Sequence, residues 1–92
     1  MKKALYPGTF DPITLGHIDI IHRALHLFEE VTIAIATSEA KTPLFSVEER
    51  INQIELIFKG DKRIRAIGFK GLVVDLAKEE ETNVLIRGFN LK

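Results

Sequence analysis

Lys3-Ala4-Leu5-Tyr6-Pro7-Gly8-Thr9-Phe10-Asp11-Pro12-Ile13-Thr14-Leu15-Gly16-His17 is the stretch on which the fold turns. Its first part, Lys3 to Tyr6, reads as a short buried strand. Pro7-Gly8-Thr9-Phe10-Asp11-Pro12 is a dense set of turn signals. Thr14 or Leu15 then opens a helix that is predicted to run to about Phe28. Ile18, Ile21, Leu25 and Phe28 recur along it at helical spacing. Strand, tight loop and helix in immediate succession are the first half of a βαβ unit.

The pattern repeats outward from there. Val-Thr-Ile-Ala-Ile-Ala at 31–36 is rich in β-branched residues and reads as a second strand. Ser38 to Pro43 is a polar loop. Ser46-Val47-Glu48-Glu49 fits a capping box and starts a helix that stops near Gly60. Arg63 to Gly68 reads as a third strand, Gly71 to about Glu80 as a third helix, and Asn83 to Arg87 as a fourth strand. The order βαβαβαβ with short links implies a parallel sheet with helices on both faces. Right-handed crossovers favour a Rossmann-like, doubly wound α/β sheet with its switch point beside the first strand. Ligands of such sheets bind at the carboxyl ends of the strands. The Pro7–His17 loop, the Ser38–Pro43 loop and Arg87 are all expected on that edge.

Composition narrows the function classes. The 92 residues make at most one domain, and the formal net charge is zero. No long-range field therefore draws the chain to nucleic acid or to an acidic membrane. The absence of cysteine excludes thiol catalysis and thiolate metal sites. No run approaches the ~20 apolar residues of a membrane span. Met1 to Tyr6 is too short an apolar start for a signal peptide, so a cytoplasmic location is expected.

The chemistry-bearing segment is Thr14-Leu15-Gly16-His17. A helix N-terminus has unpaired N–H groups and partial positive charge, which suit phosphate. Gly8 and Gly16 allow close approach of main chain to a ligand. His17 can donate to a phosphoryl oxygen. On these residues alone, a packing glycine and a surface histidine remain an equal alternative.

The run from Tyr6 to His17 resembles, nearly letter for letter, the first signature of the bacterial phosphopantetheine adenylyltransferases. It is their version of the (H/T)xGH motif of nucleotidylyltransferases. The resemblance extends from residue 2 to about residue 88. Cytidylyltransferase relatives usually carry His where this chain has Thr14, which favours the pantetheine branch. The resemblance implies AMP transfer from ATP to 4′-phosphopantetheine, giving dephospho-coenzyme A and pyrophosphate, with Mg²⁺ as cofactor. It implies that Thr9 contacts the substrate phosphate and that His17 stabilises the reacting α-phosphate. Lys41 and Arg87 would contact phosphates, and main chain near Leu72 and Val73 would line the pantetheine arm. Gly8 and Phe10 would touch the adenylate, with Gly16 beside it. A homo-oligomer is implied as well.

Other polar residues read as structural. His22 and His26 lie one turn apart with no evident third ligand, and are expected to be solvated. Glu48, Glu49 and Arg50 are expected to cap and solvate a helix, and Lys78-Glu79-Glu80-Glu81 to form a solvated helix end. Asp75 reads as a polar-face residue.

The chain departs from the family in two ways. It lacks the serine-rich, ISSTxxR-like second signature that holds ATP phosphates. After Arg87-Gly88 the family's second arginine is replaced by Asn90. The alternative function is therefore a catalytically inactive fragment that keeps part of the phosphate and pantetheine site. An uncovered fourth strand would also favour association over a monomer.

Overall fold

The second strand explains the architecture best. β2 (Glu30–Ala36) is buried along almost its whole length, because both of its faces are covered. Val31, Ile33 and Ile35 point into a core completed by Tyr6, Phe10, Ile21, Ile54 and Phe58. Ala34 points the other way, into a smaller core with Leu5 and Leu76. The computed structural model describes residues 2–37, 42–82 and 84–87.

β1 (Lys3–Gly8) and β3 (Ile64–Phe69) flank β2, both parallel to it. Tyr6 lies opposite Ile33, and Ile33 opposite Ala66. α1 (Leu15–Ala24) and α2 (Val47–Ile57) supply Ile21, Ala24 and Ile54 to the larger core. α3 (Val73–Glu79) supplies Leu76 to the smaller one. Helices thus cover both faces, and the doubly wound α/β arrangement holds.

Several boundaries differ from the sequence reading. β1 continues through Pro7 and Gly8 instead of ending at Tyr6. α1 stops at Ala24, not Phe28: the chain tightens into three-residue turns, with His26 N donating to Arg23 O and Leu27 N to Ala24 O. Leu25 and Phe28 keep their places against the core, so their spacing is honoured by a turn. α3 starts at Val73 because Gly71 takes φ +98°, outside helical space.

Among the described residues, the expected fourth strand is present as a parallel bridge between Leu5 and Leu85, and Asn83 lies outside them. Leu5 N donates to Val84 O at 3.0 Å, and Ile86 N donates to Leu5 O at 2.8 Å. The next rung in a parallel ladder would run from residue 7 to Ile86 O. Residue 7 is Pro7, which has no N–H, so the ladder loses that rung. β1 still lies between β2 and the 84–86 segment, which places the switch point beside β1 as expected. Thr82 Oγ1 fastens the same segment to Lys3 O at 2.8 Å.

Candidate active site

Thr14 closes the loop that follows β1 by acting as the N-cap of α1. Its hydroxyl accepts from His17 N at 3.3 Å, while its own N–H donates to His17 Nδ1 at 2.9 Å. The two bonds form a reciprocal capping box in which a histidine takes the place usually held by Glu or Gln. An Nδ1 that accepts a main-chain N–H is unprotonated, so the neutral ring carries its proton on Nε2. Burial also pushes the His17 pKa below its ordinary value. The residue is therefore a neutral imidazole whose remaining donor is Nε2–H. The first turn of α1 contains no acidic residue, so nothing within that turn offsets the positive end of the helix.

The ring of His17 rests on Phe10, with centroids 4.8 Å apart, and lies 6.2 Å from Tyr6. Phe10 is 1% exposed. It adopts φ +49°, in the left-handed region that a bulky residue seldom enters. Such a conformation costs roughly 1–3 kcal/mol and persists only where surroundings enforce it. Gly8 is part of that surrounding: a Cβ there would stand 3.0 Å from the Phe10 ring. At Gly16 the nearest atom to a Cβ would be Thr14 Oγ1 at 3.6 Å, an ordinary contact. Packing among the described residues does not demand glycine there.

Two further ties hold the loop. Arg50 is 4% exposed and reaches from α2 to donate to Thr9 O at 2.8 Å. The Asp11 carboxylate accepts from Leu44 N at 2.8 Å and Phe45 N at 2.9 Å. The expectation that Arg50 is a solvated residue is overturned: it lies on the buried stripe of α2, four residues before Ile54, and snorkels inward to a carbonyl. Thr9 itself is exposed at the end of β1.

The other expected site residues fall as follows. Arg87 is exposed and leaves the 84–86 segment at the carboxyl edge of the sheet, the edge shared by Thr9 and His17. Leu72 is the N-cap of α3 and is 69% exposed, whereas Val73 packs into the smaller core. Lys41 lies outside the described residues, as do Gly88 and Asn90. His22 and His26 are exposed at the far end of α1; His22 stacks obliquely on Phe58 at 5.8 Å. Among the described residues no three His, Asp or Glu side chains converge as a metal cage. Asp11, the one acidic residue between Tyr6 and His17, has both carboxylate oxygens occupied by main-chain N–H groups. The described residues therefore offer Mg²⁺ no protein ligand set of their own.

The family profile described as cytidylyltransferase-like matches residues 5–91. The chain belongs to the cytidylyltransferase-like family. Within that family it is 50% identical over 90 residues to the phosphopantetheine adenylyltransferase of Helicobacter pylori strain J99, and 51% identical over 90 residues to that of Helicobacter acinonychis. Each alignment covers 98% of this chain but 57% of the relative, so the chain spans little more than half the length of these relatives. Among solved structures, a lipopolysaccharide core biosynthesis protein from Thermoplasma volcanium superposes with a TM-score of 0.74 at 24% identity, covering 92% of this chain and 72% of that one. A bifunctional NMN adenylyltransferase/ADP ribose pyrophosphatase from Francisella tularensis superposes with a TM-score of 0.64 at 25% identity, covering 87% of this chain and 25% of that one. The cytidylyltransferase-like fold is thus shared well beyond the close relatives. No described helix is long and apolar enough to cross a membrane.

Proposed function

We propose that this chain carries the adenylyl-transfer site for ATP and 4′-phosphopantetheine, a step of coenzyme A synthesis. The observation that carries the reading is the neutral His17, capped by Thr14, at a helix N-terminus without acidic residues and on the same sheet edge as Thr9. The roughly half-identical relatives named phosphopantetheine adenylyltransferase supply the substrates.

In the proposed reaction a phosphate oxygen of 4′-phosphopantetheine attacks the α-phosphorus of ATP. A new P–O bond forms, the bond to the β-phosphate bridge breaks, and pyrophosphate leaves. The nucleophile is already ionised, so no general base is required. Catalysis rests on alignment and on donors aimed at the developing charge. His17 Nε2–H and the α1 N-terminus stabilise the α-phosphoryl oxygens, and Thr9 orients the attacking phosphate. Lys41 and Arg87 add cationic contacts, with Gly8, Phe10 and Gly16 along the adenylate and Leu72 and Val73 along the pantetheine arm. Mg²⁺, on this reading, would arrive with the ATP phosphates and would supply neutralisation of their charge. The working form on this reading is a homo-oligomer in the cytoplasm.

A second reading, for these 92 residues taken alone, is binding without turnover, since they span 57% of the relative. The test is pyrophosphate-dependent formation of ATP from dephospho-coenzyme A with Mg²⁺. Turnover that falls ~10²–10³-fold in His17→Ala supports transfer at this site. Absent turnover, with 4′-phosphopantetheine still binding in calorimetry, selects the second reading. Turnover unchanged in His17→Ala removes that residue from the mechanism.

A further inference from the structure

Among the described residues the loop between β1 and α1 has no strand partner, yet three consecutive residues of it are fixed. Thr9 is held by its carbonyl, Phe10 by its buried ring and Asp11 by its carboxylate. The outer two anchors both come from the N-terminal end of α2. Arg50 bridges from its own N-cap carbonyl, Ser46 O at 3.3 Å, to Thr9 O at 2.8 Å. Asp11 grips the two N–H groups immediately before that N-cap. Arg50 is a buried cation whose recorded bonds go to carbonyls, and no carboxylate lies within ion-pair distance of it among the described residues. Burying a guanidinium in this way is costly unless its donors are spent on something the structure needs.

What they hold is the unfavourable backbone of Phe10. A residue at φ +49° relaxes unless its neighbours are pinned on both sides. Arg50 pins the residue before it and Asp11 the residue after. Phe10 in turn forms the platform under the His17 ring. We infer that Arg50 and Asp11 are positioning residues: they clamp Thr9 to Asp11 from α2, and thereby fix the Thr9 hydroxyl and the His17 ring in the geometry the phosphate site requires. The inference rests on the adenylyl-transfer reading for what the site binds, but the clamp itself is a property of the unliganded chain.

The experiment compares the 92-residue chain with Arg50→Met, Arg50→Lys and Asp11→Asn. Nitrogen-15 spectra of the His17 ring and the loop amides are recorded without ligand. Calorimetry then follows 4′-phosphopantetheine and, as a control lacking the phosphate, pantetheine. The expected result is a shifted or broadened His17 ring signal in Arg50→Met and Asp11→Asn. Affinity for 4′-phosphopantetheine should fall ~10–100-fold, the scale of a misplaced site, with pantetheine affinity unchanged. Arg50→Lys, which keeps a donor of nearly the same reach, should recover part of both. Variants that lose thermal stability but keep the wild-type ring signal would overturn the clamp. Should Arg50→Met not fold, Asp11→Asn and Arg50→Lys decide by the same two readouts. A wild-type chain that binds no 4′-phosphopantetheine sinks the adenylyl-transfer reading alone, because the ring spectra still judge the clamp.

Discussion

α1 and α2 begin with the same device and use it differently. Each has a hydroxyl N-cap whose oxygen accepts the N–H three residues on, and each has a side chain at that third position reaching back to the N-cap N–H. In α2 the pair is Ser46 and Glu49, and Glu48 adds a second carboxylate to the first turn. The positive end of that helix is answered within the chain. In α1 the pair is Thr14 and His17, with no acid in the first turn. The same hydrogen bonds are made by a neutral ring, so the positive end stays available to an outside anion. Substituting an imidazole for a carboxylate in one capping box separates a helix start that only supports structure from one that can receive phosphate.

Exchanging the two boxes is the most direct way to break this comparison. His17→Glu should leave α1 capped, with stability changed by no more than ~0.5 kcal/mol. It should cost at least the ~10²–10³-fold in turnover or phosphate-ligand affinity expected for losing the donor. Glu49→His should alter neither turnover nor ligand affinity. Equal effects from the two exchanges, measured by the pyrophosphate assay and calorimetry, would dissolve the distinction.

The loops that lead into the two helices should differ next. The approach to α1 is built on the buried Phe10, whereas the approach to α2 exposes 76% of Leu44. Phe10→Ala should destabilise by ~3–5 kcal/mol, less any strain it releases. Leu44→Ala should stay within ~0.5 kcal/mol. Urea melts that gave the two variants similar midpoints would show that the loop before α1 is not fixed through its core contact.

The smallest expected effect is on pH. The folded His17 pKa lies below its ordinary 6.5, so the fold favours the neutral ring. Its contribution to stability is complete above about 6.5 and is lost as pH falls through the lower folded value, because the unfolded chain then binds more protons. Asp61, at the opposite edge of the sheet, is held at about 2 by hydrogen bonds from Arg63, against an ordinary 3.8. Its contribution is present above 3.8 and disappears toward pH 2. Melting temperatures between pH 7.5 and 5 should fall less steeply in His17→Gln than in the wild type. Asp61→Asn should flatten only the more acidic limb, and only slightly, because that pair is solvent-exposed. A His17→Gln profile parallel to wild type would mean that ring burial does not govern the neutral-to-acid limb.

The order of strands and helices was legible because apolar periodicity and turn residues agreed along the chain. Ser46 and Glu49 were legible as a box for the same reason: Glu at the third position is the usual partner. Thr14 and His17 were not read as a box, since histidine rarely takes that part, although the T-x-x-H spacing was there to be noticed. Arg50 was misread because its charge outweighed its spacing from Ile54. The link from Asp11 to Leu44 and Phe45 spans more than thirty residues between two loops, and nothing in local pattern encodes it. The single bridge at Leu85 was foreseeable only by counting rungs to Pro7. Thr9, His17 and Arg87 were expected on one edge, and a parallel sheet places them there from topology alone.

The pairing of Leu5 with Val84 and Ile86 has a consequence for how the molecule assembles itself. β1 leaves a ribosome some eighty residues before the segment that becomes its second neighbour. Closing so long a loop is slow relative to forming the local helices. The loop proposed to receive phosphate follows β1 directly, so its ties to α2 can form before β1 has both of its neighbours. During synthesis, a nascent chain short of residue 84 would hold the signature sequence and its α2 ties, but β1 would still lack its second neighbour.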